Sequence, residues 1–422
     1  MNKLIIIGNG FDRAHDLPTS YGHFLNYIWQ SFDKVQKEPL FQELFTINFE
    51  YIRLERFESF KDFEIKFRHY YNNYDYQFTE PEDDHSCFKI TYKHQFLDDY
   101  RKIVFEFKNK LFELITVSNI NTWVDIEKIY YDVLLSIVKS DKTFKKIKTI
   151  DQLNSEFLQI KKLLHHYLKD NVDMMYDFNN DVEQNRSIVE IFEGKFHSKI
   201  SESGYVLEFP FNYRSQLRKW NTNLTPNRSN IDAEYICNNL FLDFNYTSNT
   251  SNYVNILKDL DPIKYGKYTH IQIHGNLSDD MNPINFGFGD EMDDHYKILE
   301  KTGDNRFLEN IKSFMYFNNS NYRKLLNWID FYDYQIFIMG HSCGLSDRTL
   351  LNTLFENKNC KSIKIFYHKY DNESDNFTEL TQNISRHFNK KDLMREKVVD
   401  KSLSQPLPQN IRYKYKDGID KD

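Results

Sequence analysis

The run Leu4 to Ile7 stops abruptly against Gly8-Asn9-Gly10, and this junction limits the fold more than any other stretch of the chain. Such a run has no polar face, so it reads as a strand buried on both sides, of the kind found in a parallel sheet covered by helices. Glycines at 8 and 10 let the next stretch of backbone approach a ligand closely. A full dinucleotide fingerprint needs a third glycine at position 13, where this chain has Arg13. It also places a second strand and an acidic ribose ligand about 20 residues further on. Here Phe24, Leu25, Ile28, Trp29 and Phe32 recur at helical spacing instead, with Thr19 or Ser20 as the N-cap. The junction is therefore either a modified nucleotide loop or a tight turn.

Two more helical stripes follow, one through Phe96, Tyr100, Ile103, Phe107, Leu111 and Leu114, the other through Phe157, Ile160, Leu164, Tyr167 and Leu168. Their aromatics read as core packing. Strand signals return only after about residue 235: LFLDFNY (240–246), HIQIHG (270–275), INFGFG (284–289), QIFIMG (335–340) and SIKIFY (362–367). Helical segments at 322–329 and 348–355 lie between the later ones. This alternation predicts an α/β fold with a mostly parallel sheet. Residues 1–20 plus 235–370 are expected to form the core, 21–234 a large, mainly helical insertion, and 371–422 a polar C-terminal segment, peripheral helix or loose tail. The acidic run 80–84 reads as a solvated loop.

Net charge is −7 over 422 residues, which argues against general nucleic-acid binding. Cys87, Cys237, Cys343 and Cys360 form no C-x-x-C pair, so neither a disulfide framework nor a cysteine zinc site is expected, and no metal-ligand spacing links the histidines. No apolar stretch approaches the roughly 18 residues that span a bilayer. A soluble, cytoplasmic protein is expected.

In an open parallel sheet, ligands bind beyond the carboxyl ends of the strands. That rule selects the loops beginning at Gly8, Asn245, His274, Gly287 and Gly340. Asn245 can donate and accept at once, and so can orient a water or a carboxamide. His274 sits at a strand end beside Gly275 and is a candidate base. The loop GHSCG (340–344) also fits the G-x-S-x-G nucleophile elbow, with Ser342 attacking, His368 or His387 as base and Asp371 as the acid.

Taken together, these loops resemble the SIR2-like NAD-binding fold, and more closely the AbiH family of bacteriophage abortive infection proteins. GNGFDRAHDLPTSY (8–21) is similar to that family's opening and to the sirtuin pattern of G-x-G, a small polar residue and I-P. Gly8 and Gly10 match the glycines, Asp12 replaces a serine, and Leu17-Pro18 matches the Ile-Pro. FNYT (244–247) is similar to the T-N-Y-D of SIR2-like NAD hydrolases, IHGN (273–276) to their H-G, and GHSCGLSD (340–347) to their G-x-S with a following aspartate. Thr247 stands where those enzymes have aspartate, and the four clustered cysteines of a deacylase zinc module are missing.

The resemblance implies a Rossmann-like (SIR2/DHS-like) core that takes NAD+ as a substrate rather than as a tightly bound cofactor, and cuts it at the nicotinamide–ribose bond. It implies catalytic Asn245 and His274. Nucleotide contacts are expected from Gly8, Asn9, Gly10, Phe11, Asp12, Pro18, Thr247, Gly275, Gly340, Ser342 and Asp347, with the amides of 8–12 on phosphate. A phage-derived trigger or a defence partner protein and a homo-oligomer are further expectations. A nucleotide-binding sensor or toxin subunit that does not hydrolyse its ligand is the alternative.

Overall fold

The computed structural model describes residues 1–52, 56–70, 75–79, 88–94, 101–118, 123–141, 143–144, 146–178, 186–193, 204–223, 236–260, 262–289, 291–292 and 295–416. Its strands are β1 (Asn2–Ile7), β2 (Phe45–Ile47), β3 (Tyr76–Thr79), β4 (Lys89–Lys93), β5 (Arg101–Phe107), β6 (Asn238–Asp243), β7 (Lys267–Gln272), β8 (Tyr334–Met339), β9 (Cys360–Tyr367) and β10 (Gln405–Pro406).

Alternation along β1 explains its place. Leu4 and Ile6 pack on one face with Leu240, Leu242, Ile336 and Ile338, beneath helix residues Leu325, Ile329, Leu350 and Leu354. Ile5 and Ile7 pack on the other with Phe241, Phe337 and Met339, beneath Phe11, Val189, Tyr253 and Leu257. With both faces covered, an all-apolar strand is the stable choice. β1 accordingly lies inside a six-stranded sheet of order β10-β9-β8-β1-β6-β7, every pair of which is parallel. Counted along the chain from the β7 edge, the order is 3-2-1-4-5-6. The winding therefore reverses between β1 and β8, and that is where a doubly wound sheet opens a crevice at its carboxyl edge.

The chain divides into two compact units, one of Met1–Thr19, Leu168–Asn285 and Lys312–Asp422, the other of Ser20–Tyr167 and Phe286–Ile311. The first holds the parallel sheet. The second holds helices, among them Tyr21–Gln30 and Ile150–Leu168, and a four-stranded antiparallel sheet of order β2-β5-β4-β3. Ser20 caps the Tyr21–Gln30 helix by accepting from His23 N–H.

That second sheet departs from the expectation that strands return only after residue 235. Ile103 and Phe107, read as part of a helical stripe, lie in β5, and a helix begins only at Lys110–Val117; Phe96 and Tyr100 fall outside the described residues. A four-residue interval brings side chains to one face in a helix and in a strand alike, and here the β-branched and aromatic residues of RKIVFEF decided for the strand. The sheet closes over an aromatic core in which Trp29 meets Phe45 at 5.3 Å and Phe63 at 5.1 Å, and Phe63 meets Phe105 at 4.9 Å. Large rings supply the volume that a chain with only two alanines cannot take from small side chains.

One further expectation is corrected: INFGFG (284–289) is irregular rather than a strand, with Gly289 at φ +88°. Of the two readings of the polar C-terminal segment, peripheral helix or loose tail, the structure shows the helical one. The segment forms the helices Phe377–Arg386 and Lys391–Lys397 and the edge strand β10, and its last described residues run back over the start of the chain, where Ile411 N–H donates to the carbonyl of Ala14. The acidic run 80–84 lies outside the described residues.

Candidate functional site

The loops after β1 and β8 are locked together by their backbones. Gly8 N–H donates to the Met339 carbonyl (3.1 Å), Gly10 N–H to the Gly340 carbonyl (2.8 Å) and Phe11 N–H to the Gly8 carbonyl (2.8 Å). A Cβ on Gly8 would stand 2.5 Å from His341 Cα, and one on Gly340, which has φ +73°, would stand 2.0 Å from Phe11 N. The glycines of the opening motif thus permit loop-to-loop contact, and the amides of Gly8, Gly10 and Phe11 are engaged inside the protein. Asn9 is half-buried at the start of the short helix Asn9–Ala14, and Pro18 is half-buried beyond it.

Asp12 is buried on that helix. It accepts from Thr247 Oγ1 at 2.8 Å and Asn249 Nδ2 at 2.9 Å, and Asn249 in turn accepts from Tyr413 Oη at 2.7 Å. Burial pushes the Asp12 carboxyl up to about 7, with Asp243 and Asp173 adding to the shift and the bonds from Asn249 and Thr247 opposing it. Thr247 therefore does not leave its surroundings without a carboxylate, because Asp12 supplies one to its hydroxyl. His15, one turn on, meets Tyr253 Oη at 2.5 Å and stacks on Tyr413 at 5.4 Å.

After β6, Asn245 is buried, and its Nδ2 donates to the Gly8 carbonyl at 3.2 Å while its own N–H donates to Asp243 Oδ1 at 3.0 Å. Its side-chain oxygen is left as an acceptor. The preceding Phe244 packs against two imidazoles, His274 at 4.7 Å and His341 at 4.3 Å between ring centres.

Those imidazoles belong to a cluster centred on Asp347. Asp347 Oδ1 receives His274 Nε2 at 3.0 Å, Lys312 Nζ at 3.2 Å and Tyr316 Oη at 3.4 Å. Asp347 Oδ2 receives Ser346 Oγ at 3.1 Å and faces His341 Nε2 at 3.8 Å. His341 Nδ1 accepts from Cys343 N–H at 3.0 Å, so its proton sits on Nε2, toward the carboxylate. All of these residues are buried. Burial alone would raise the Asp347 carboxyl, but Lys312, His274 and His341 hold it well below the usual carboxylate range. Burial first and Lys312 second lower His274, against the opposing pull of Asp347 and Asp243. Burial brings His341 down to about 4. At neutral pH the carboxylate is charged and both imidazoles are neutral.

The chemistry of this set follows from its bonds. A neutral His274 that gives its Nε2 proton to Asp347 carries its lone pair on Nδ1, as in other carboxylate-oriented general bases. The backbone supports this placement: Gly275 has φ +98°, a Cβ there would lie 2.3 Å from the Pro283 carbonyl, and Asn285 N–H donates to the His274 carbonyl at 2.6 Å.

The structure thus joins Gly8, Gly10, Phe11, Gly340 and Asn245 through their backbones and amides, Asp12 with Thr247, and His274 with Asp347. Asp243 acts electrostatically on both Asp12 and His274. Ser342 stays apart. It is exposed, and its carbonyl accepts from Asn383 Nδ2 at 2.9 Å. The elbow reading does not assemble either. His387 Nε2 is bound to the Cys343 carbonyl at 2.8 Å, and Asp371 is engaged by Ser374 in its own turn. Among the described residues, no group of three or more histidine, cysteine, aspartate or glutamate side chains is placed to hold a metal ion.

Four members of the cluster, His341, Ser346, Lys312 and Tyr316, were not singled out from sequence. His341 follows a glycine at a strand end, the same signal that selects His274. Lys312 and Tyr316 lie in ENIKSFMY (309–316), where no spacing or turn signal marks them.

A family model described as bacteriophage abortive infection AbiH matches residues 4–369. No curated protein and no solved structure matches the chain significantly.

Proposed function

The chain belongs to the AbiH family of bacteriophage abortive infection proteins, and on that footing we propose that it serves antiphage defence as a nucleotide-directed enzyme that hydrolyses NAD+ at the nicotinamide–ribose bond. The observation that carries the reading is the buried His274–Asp347 pair, 3.0 Å apart, at the carboxyl edge of a sheet whose winding reverses beside it. The order of the four SIR2-like motifs along the chain supports it, with the sheet read as a Rossmann-like core.

Nicotinamide leaves a cationic pyridinium as a neutral base, so no strong general acid is required. The bond between C1′ and the pyridinium nitrogen breaks with its electron pair going to nitrogen. A water oxygen then bonds to C1′, and its proton passes to His274 Nδ1, giving nicotinamide and ADP-ribose. Asn245, held by the Gly8 carbonyl, offers Oδ1 to that water. The ionised Asp347 steadies His274 as the imidazolium forms, and the oxocarbenium-like ribose gains from the same negative field. Gly8, Gly10, Gly275 and Gly340 let the loops of the crevice close against one another, and in this scheme the half-buried Asn9 and Pro18 and the Asp12–Thr247 pair take the nucleotide. NAD+ is the substrate in this scheme, and no resident cofactor is invoked. A phage-derived trigger or defence partner would act on the same chain, and a homo-oligomer is compatible with it.

One observation favours a second reading, a nucleotide sensor or toxin subunit without turnover: His274, Lys312, His341 and Asp347 are all at most 7% exposed, so these groups are closed off in this state. Incubating the purified protein with NAD+, alone and in extracts of phage-infected cells, and measuring nicotinamide release separates the two. Release that drops by at least about a hundredfold in both H274A and N245A is expected from the loss of a base and of a water-orienting amide. Release that survives both substitutions overturns the assignment, and tight nucleotide binding with no release supports the sensor.

A further inference from the structure

His274 and Lys312 reach for the same atom. Asp347 Oδ1 accepts from His274 Nε2 at 3.0 Å and from Lys312 Nζ at 3.2 Å, and both side chains are almost wholly buried. We propose that Lys312 is a positioning residue for the base: by sharing the carboxylate oxygen, its ammonium keeps the His274 imidazole uncharged, so that Nδ1 is free to take a proton. The inference rests on the hydrolytic reading of the site and assigns it a residue that no motif marks.

Charge balance in a dry place decides the state of the imidazole. A lone carboxylate beside a buried imidazole favours the imidazolium, because the ion pair replaces hydration that burial has removed. A His–Asp pair of that kind is a structural salt bridge, and its histidine has no lone pair to offer. An ammonium on the same oxygen satisfies the carboxylate without a proton from His274. Tyr316 Oη, Ser346 Oγ and His341 complete the set of donors around Asp347, and none of these carries a charge at neutral pH, His341 being held down to about 4 by burial.

The groups that face His274 come from three elements. Asp347 and His341 stand on the loop after β8, Lys312 and Tyr316 on the segment that begins at the helix Lys312–Met315, and Asp243 at the end of β6, where His270 Nε2 holds it at 3.1 Å. Burial holds His274 toward the neutral form most strongly and Lys312 adds to it, while Asp347 and Asp243 pull it toward the charged form. Deleting that cation moves the balance toward imidazolium.

The experiment uses the full chain in four forms: wild type, K312M, which keeps the aliphatic stem, K312Q, and K312R, which keeps the charge. Histidine-labelled protein is titrated by NMR to follow His274, and NAD+ cleavage is followed as kcat/KM against pH. We expect the His274 titration to move up by about one pH unit in K312M and K312Q, roughly a tenfold change in its protonation equilibrium. The acidic limb of the rate profile should move by the same amount, so that the loss of activity is greatest at low pH and smallest at pH 8, with both values restored in K312R. The proposal is overturned if His274 titrates as in wild type in either neutral variant, or if activity falls by the same factor at every pH, as a purely structural role would require. A wild type that never cleaves NAD+ overturns the hydrolytic reading instead, and the NMR titration then decides the role of Lys312 alone.

Discussion

Asp12 is kept in a state that its surroundings oppose. Between the ordinary carboxyl value near 4 and the folded value of about 7, the native protein holds a proton that the unfolded chain has released, so this group's contribution to stability falls as pH rises through that window. Asp12→Asn removes the cost. The variant is expected to be more stable than wild type at pH 8, by roughly 2–4 kcal/mol, with the difference shrinking toward pH 5, as read by urea denaturation at both pH values. A difference independent of pH would contradict that sign. On the function proposed, a carboxyl group retained against stability serves the nucleotide site, and Thr247 stands without a charge of its own because Asp12, on the helix Asn9–Ala14, holds it. Single residues were legible where backbone rules select them. His274 and Asn245 follow strand ends and Asp347 came from the family resemblance, whereas Lys312 reaches the cluster from a stretch with no periodicity, and only three-dimensional proximity reveals it.

At the scale of elements, strands β1, β6, β7, β8 and β9 could be read because an apolar run that ends at a glycine or polar residue has few other uses. The antiparallel sheet escaped because its apolar spacing suits both periods, and INFGFG misled because glycine interrupts it without pairing. Loop glycines offer a sharper check on the same physics. Gly340→Ala places a Cβ against the Phe11 amide in a left-handed conformation, and it should destabilise the protein by well over 1 kcal/mol. Gly22→Ala, in the helix Tyr21–Gln30, meets nothing nearer than Ser20 Oγ at 4.0 Å and should stabilise by about 0.5–1 kcal/mol. Thermal unfolding of the two variants beside wild type reads both signs, and a harmless Gly340→Ala would show that the two loops are not locked as described.

For the whole molecule, the parallel core was visible from sequence and its C-terminal closure was not, because residues 405–416 owe their place to long-range partners rather than to a pattern of their own. Leu407 N–H donates to the Tyr367 carbonyl, Tyr413 reaches Asn249, and Lys416 N–H meets the Met175 carbonyl. Ending the chain at Ser404 strips this cover. Hydrogen exchange in the helices Asn9–Ala14 and Asn249–Lys258 should then rise by at least about tenfold while β4 and β5 keep wild-type protection. Unchanged exchange in both helices would show that the segment is passive.

The central place of β1 has a temporal consequence. Leu4 pairs with Leu240 and Ile336, so a chain emerging from the ribosome at about 5–20 residues per second holds β1 without its first neighbour for roughly 10–50 s. The His274–Asp347 pair completes later still. On the chemistry proposed, nascent chains that stop short of Asp347 are inert, and a cell that stores a self-destructive activity is spared it from synthesis interrupted before that point.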